Sequence, residues 1–160
     1  MRAHSMILVP AALAGLFVGL GTYTFVYAKG YSYLTNNPAA CANCHVMRDH
    51  FDAWTRSSHR AVAVCNDCHT PPGLVPKYLT KAQNGFWHSF YFTTGRYPDP
   101  LRMTERNQRV TEGACRHCHA DLTASIEPLR ASSSGFVDIR PAHAPETSCI
   151  RCHNEVGHIE

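Results

Sequence analysis

CANCHVM, residues 41–47, holds two cysteines two residues apart, a histidine directly after the second, and a methionine two places further on. Cys-x-x-Cys-His is the attachment signature of a c-type haem: two thioethers fix the porphyrin edge, and the adjacent His binds the iron from one side. A Met so close brings a second, softer donor to the same face. Three further motifs, CNDCH at 65–69, CRHCH at 115–119 and CIRCH at 149–153, have no such Met. The four motifs use all eight cysteines, Cys41, Cys44, Cys65, Cys68, Cys115, Cys118, Cys149 and Cys152, and leave none for a disulfide. Paired cysteines also build four-thiolate zinc sites, but zinc has no use for a His after every second Cys. The spacing predicts four covalently bound haem c groups, with His69, His119 and His153 as axial ligands and His45 in competition with Met47 at the first site.

At 160 residues the chain is one domain plus, at most, an appendage. A formal charge of +3, with no basic run or Lys/Arg-rich helix, argues against a nucleic-acid partner. The start of the chain is different in kind. From Ser5 to Ala28 it carries no charge, long enough at a rise of about 1.5 Å per residue to cross a hydrocarbon core of about 30 Å. A cleavable signal would have an apolar region of about 7–15 residues followed by a small-x-small site. This run is longer, and its end, TYTFVYAKG, offers no such site. The expectation is a retained anchor in residues 1–35, spanning about 6–28, with Pro10 in its first turns where a missing N–H costs least. Ala12, Gly15 and Gly19 could form a small-residue packing strip. Tyr23, Tyr27 and Tyr31 recur every four residues, placing phenols at one lipid–water boundary. Arg2 before the span and Lys29 after it barely orient it. Haem chemistry does so instead, because c-type haems are attached outside the cytoplasmic membrane. Residues 36–160 should be a periplasmic tetrahaem domain on a single-pass inner-membrane anchor.

Nothing in that domain reads as a conventional core; four flat apolar haems would supply it, wrapped by short helices and loops. Val46–Ser58 has helical character, with Phe51 and Trp54 on neighbouring positions of one face. TPPG at 70–73 is a turn, and Pro76 can open the next helix at its first position. That helix carries the aromatic cluster Phe86, Trp87, Phe90, Tyr91 and Phe92 before TTGRYPDP ends it at 93–100. Asp121–Arg130 reads as another short helix and SSSG at 132–135 as a connection. No alternation marks a strand, so the fold class is mostly α: one transmembrane helix plus a small multihaem domain of short helices and loops.

Seven of the eleven histidines lie outside motif-terminal positions. His4 falls on the wrong side of the anchor, His117 is an internal residue of CRHCH, and His50 could face solvent. His59, His88, His143 and His158 remain as candidate distal ligands. With two axial ligands per iron the supply is nearly exhausted, so one or more irons would lack a second internal donor.

One N-terminal anchor, a CxxCHxM first site, three plain CxxCH sites and a short tail resemble the NapC/NirT family of membrane quinol dehydrogenases. The likeness is carried by CANCHVM, the SSH ending at His59, CNDCH, KAQNGFWH at 81–88, and CIRCHNEVGH with His158 five residues after the last motif His. Its branch with this short tetrahaem form serves the ammonia-forming nitrite reductase. The resemblance implies that Met47, and not His45, binds haem 1, and that His59 and His158 are distal ligands of two other haems. It implies that one iron takes a Lys from a partner chain. It also implies a Lys and, seven residues later, a carboxylate beside haem 1, where menaquinol is oxidised. Lys81 matches the Lys; the later position is His88, a departure that leaves it either as a ligand of haem 1 or as a group that meets quinol.

Residues seven apart on a helix lie almost in register, so Lys81 and His88 should face one way, with Asn84 between them. An imidazole suits uptake of quinol protons, and a Lys can hydrogen-bond a quinone oxygen. The plainer reading makes Lys81 a snorkelling interfacial cation and His88 a structural or axial His. The partners expected are membrane quinol, the lipid bilayer and a periplasmic multihaem nitrite reductase catalytic subunit, in a hetero-oligomer. The alternatives are a quinol dehydrogenase serving nitrate or another reductase, and a terminal multihaem reductase. The last would want a modified attachment motif, and all four here keep His.

Overall fold

The computed structural model describes residues 2–126 and 148–158, with side chains from Met6 onward. His143 and the SSSG connection lie outside the described residues. Two compact units emerge, Met1–Thr35 and Asn36–Glu160. Among the described residues the regular structure is helical throughout, with no strand.

The first unit is helix α1, Arg2–Tyr27, followed by a 3-10 turn at Gly30–Leu34. Met6–Tyr27 has a mean hydropathy of 1.9 with none of it buried, so it is long and apolar enough to cross a membrane. Because the helix begins at Arg2, Pro10 sits inside it and not in its first turn, and the Met6 carbonyl loses its usual amide partner. Tyr23 and Tyr27 stack with centroids 5.9 Å apart, but the expected four-residue rhythm stops there, because Tyr31 belongs to the 3-10 turn. Lys29 makes that break with a left-handed φ of 52°. Gly30 is required beside it: a Cβ there would collide with the Phe25 ring.

The second unit strings short helices between motifs. Helix α2 (Pro38–Cys41) is capped by the Asn37 side chain, which accepts from the Ala39 amide at 3.0 Å. A 3-10 turn, His45–Met47, leads into α3 (Arg48–Arg56), so the helix expected over Val46–Ser58 is shorter at both ends. Helix α4 (Cys65–His69) carries the second motif. Helix α5, Leu74–Thr94, starts two residues before Pro76, which occupies its third position. The first four amides of a helix have no partner inside it, so the proline still costs little there. Its end is a Schellman turn: Gly95, at φ 65°, donates to the Phe92 carbonyl at 3.3 Å, and Arg96 to that of Tyr91 at 2.9 Å. Helix α6, Glu105–Cys118, was not anticipated; Thr104 caps it by accepting from the Asn107 amide at 3.3 Å. Helices α7 (Ala120–Ile126) and α8 (Cys149–Cys152) complete the described chain.

Helix α4 packs on α6, α2 on α3 and α4, and α8 on α6. What lies inside is unusual. The buried apolar residues are Ala53 and Ala114 alone among those described, and no large side chain is fully enclosed. Ser57, Asn66, Thr70, Thr80, Lys81 and Thr111 are the other buried residues, all polar. Two alanines cannot offset the conformational entropy of a unit this size. The described residues do not provide the large apolar bodies such an interior needs, and haem groups fit that requirement.

Candidate haem-binding and quinol-facing site

Neighbouring motifs meet through their cysteines. Cys41 of the first motif hydrogen-bonds Cys65 of the second, which with the nearby Lys81 charge lowers the Cys41 thiol to about 7 against its burial. The same bond, with burial, pushes Cys65 up. Cys68 feels Cys118 of the third motif, and Cys149 of the fourth feels Cys115. These shifts belong to the chain before haem attachment, since a thioether does not titrate. Their geometric content persists: the attachment edges adjoin in the order one, two, three, four.

The histidines pair across the motifs. His59 and His119 have ring centroids 6.1 Å apart, and His69 and His158 6.0 Å apart. An imidazole nitrogen about 2 Å from a metal on either side sets two rings about 6 Å apart, so each pair has the span of one iron. The backs of both distal rings are fixed. His59 Nδ1 lies 3.2 Å from the Val156 carbonyl oxygen and His158 Nδ1 lies 2.9 Å from that of His50. A carbonyl only accepts, so the His158 contact calls for a proton on Nδ1 and leaves Nε2 free, the arrangement metal-binding histidines favour; His59 Nδ1 also lies 3.1 Å from the Ser58 hydroxyl, which can donate or accept. Burial first, then the charges of His158, His50 and His88, lower His69 to about 4. Burial likewise lowers His158. Both rings are neutral at pH 7, as metal ligation demands.

Two structural devices present His59. Trp54 at the end of α3 donates its indole N–H to the Ala63 carbonyl at 3.2 Å, closing the loop over which His59 sits. The His59 carbonyl in turn accepts from Val62 at 3.1 Å and Ala63 at 2.9 Å. A cavity of about 630 Å³ opens on this loop, lined by Trp54, Thr55, Ser57, Ser58, Arg60 and Ala61, with the buried Ser57 hydroxyl unpartnered.

At the first motif, Met47 is half-buried at the end of its 3-10 turn while His45 is exposed, its ring 6.0 Å from Phe92 and edge-on. Helix α5 carries both Lys81 and His88. Lys81 is only 8% exposed, its ammonium 5.6 Å from the Tyr78 ring centre and near Cys41. Burial first, then the Lys77 charge, lowers its pKa. His88, two turns on, is exposed in the protein alone; packing around its ring lowers it, and its charge reaches His69. On either side of it the α5 aromatics form an exposed stack, Phe86 on Phe90 at 6.4 Å and Trp87 on Tyr91 at 5.3 Å. His153 ends α8, His117 is exposed, and the ring of His50 lies 5.2 Å from that of His158.

The tethers made by Trp54 and Glu112 were not anticipated from the sequence. Glu112 on α6 accepts from Ser148, Cys149 and Ile150, across 36 to 38 positions, and no local pattern signals such a contact.

Comparison with known proteins gives the family. The chain is 38% identical over 156 residues to the cytochrome c-type protein NrfH of Wolinella succinogenes, covering 97% of this chain and 85% of that one. It is 30% identical to a tetrahaem cytochrome-c-type protein of Allochromatium vinosum, over 93% and 88% of the two chains. A crystal structure of the cytochrome c nitrite reductase NrfHA complex bound to the HQNO inhibitor contains a chain of similar fold, with a TM-score of 0.62. That likeness covers 92% of this chain and 90% of that one at 24% identity. The family model for the N-terminal region of the NapC/NirT cytochromes c matches residues 1–160, and the chain belongs to the NapC/NirT cytochrome c family.

Proposed function

We propose that the protein is a membrane-anchored tetrahaem cytochrome c that oxidises menaquinol and passes the electrons to a periplasmic reductase, the catalytic subunit of the ammonia-forming nitrite reductase. Buried Lys81 against the first attachment motif, on a helix bearing exposed aromatics, is the observation that carries the reading. Likeness to NrfH over almost the whole chain supports the partner.

The cysteine pairs of the four motifs would hold the haems. His69 with His158 and His119 with His59 would flank two irons, His153 would hold a third, and Met47 the haem of the first motif. When bound, haem supplies a one-electron acceptor, so a quinol gives up its two electrons in succession and its two protons separately. The aromatic stack on α5 would set that helix in the interfacial layer, where a quinol head group arrives from lipid. Lys81 Nζ donates a hydrogen bond to a quinol oxygen and stabilises negative charge that develops there. His88, neutral at pH 7, accepts a proton at its ring nitrogen and passes it to water. A thioether donor at Met47 is softer and less basic than an imidazole and would set the first haem apart electronically from the others.

The test is Met47→Leu in the intact membrane protein. Quinol oxidation should be lost while the visible spectra of the other three haems stay unchanged. Undiminished quinol oxidation would refute the assignment. Should a molybdenum enzyme co-purify in place of a multihaem nitrite reductase, the same quinol chemistry would serve nitrate.

A further inference from the structure

Glu112 takes no part in the ligand pairs or in quinol chemistry, yet it is held by three hydrogen bonds from one place. Its Oε1 accepts from the Ser148 hydroxyl and from the Ile150 amide at 3.2 Å, and its Oε2 from the Cys149 amide at 2.9 Å. Ser148 Oγ also accepts from the Arg151 amide at 3.2 Å. Three successive amides that open α8 are thereby satisfied.

An acidic residue at the third helical position usually completes such a cap by reaching back to the start of its own helix. The second motif does this: Asp67 Oδ2 accepts from the Val64 amide at 2.9 Å. In the fourth motif that position is Arg151, and the carboxylate comes instead from α6. Glu112 stands one turn before Cys115, so the residue that starts the fourth attachment helix is bonded to a neighbour of the third attachment site.

The same carboxylate carries a charge. Its hydrogen bonds from Ser148, Cys149 and Ile150 outweigh its partial burial and hold it below the usual carboxylate range. Both Cys115 and Cys149 sense that anion. A fixed negative charge beside a redox centre favours the oxidised, more positive state.

We propose that Glu112 is the positioning residue of the fourth haem: its carboxylate ties the attachment helix begun by Cys149 to the one carrying Cys115, and its charge lowers the reduction potential of the haems bound there. The inference rests on haem attachment at both motifs and is independent of which quinol or reductase the protein serves. Spectroelectrochemical titration of the full-length protein in detergent, as wild type, Glu112→Gln and Glu112→Asp, tests it, with haems counted by intact mass.

Glu112→Gln keeps an acceptor oxygen and loses the charge. Four haems with one or two couples shifted upward and the rest unmoved is the expected result, and Glu112→Asp should stay near wild type. Four haems with all couples unmoved, or all moved alike, overturns the charge role. If Glu112→Gln lacks a haem, peptide mapping decides: bare Cys149 and Cys152 support the positioning role, whereas loss spread over all four motifs overturns it.

Discussion

His88 stands where the family resemblance implies a carboxylate, and that one exchange changes what the site can do with protons. Partial desolvation of this surface ring by the groups packed around it lowers its pKa from the ordinary 6.5, so the ring is neutral and proton-accepting across the neutral range. Acidification through the folded pKa protonates it and removes the acceptor. Quinol oxidation should therefore fall on the acid side with a midpoint below 6.5, a limb that is missing in His88→Asn, while its haem spectra stay as in wild type. If His88 were the sixth ligand of the first haem, His88→Asn would instead change that haem's spin state, which electron paramagnetic resonance reads directly. Lys81 was legible as a candidate from its type and register; that it is buried, with its charge beside Cys41 of the first motif, was not, because that enclosure is tertiary.

Short helices here work as brackets for single residues. Helix α3 matters because Trp54, at its end, reaches Ala63 and closes the loop that presents His59. Trp54→Phe keeps the ring contact with Phe51, at 5.7 Å, and removes only the N–H. The expected cost is about 1 kcal/mol of stability, with part of one low-spin bis-imidazole signal converted to high spin. An unchanged low-spin signal would show that His59 needs no such tether. Helix α6 escaped sequence reading because its hydrophobic stripe is thin, with Val110 and Ala114 as its inward apolar residues. Its remaining inward contacts are polar: Arg106 donates to Thr80 of α5 at 3.2 Å, and Glu112 accepts from α8. A periodicity search for apolar residues has little to find in a helix packed in this way.

At the scale of the molecule the described residues of the second unit form almost no apolar interior, so its fold and its cofactors are one problem. Full-length chain made without haem attachment, with every motif cysteine changed to Ala, should keep α1 in detergent and lose the rest. Far-UV circular dichroism would fall to about the signal of one long helix. Limited proteolysis would clear residues 36–160 while sparing the apolar segment. Retention of the full helical signal would show that polar contacts such as Asn66 to Asn36, at 3.1 Å, suffice to hold the unit.

Local chemistry settled what the sequence alone could settle. Four pentapeptides carry the haem-attachment signature, a charge-free run specifies a helix fit for a bilayer, and CANCHVM sets the first motif apart from the others. Each of these depends on residues a few positions apart. Tertiary structure alone decided which histidines stand opposite one another, that Lys81 is enclosed beside Cys41, and that Glu112 closes the start of a helix 37 residues away. Such pairings form only when distant segments fold around a shared centre, and the sequence carries no period that encodes them.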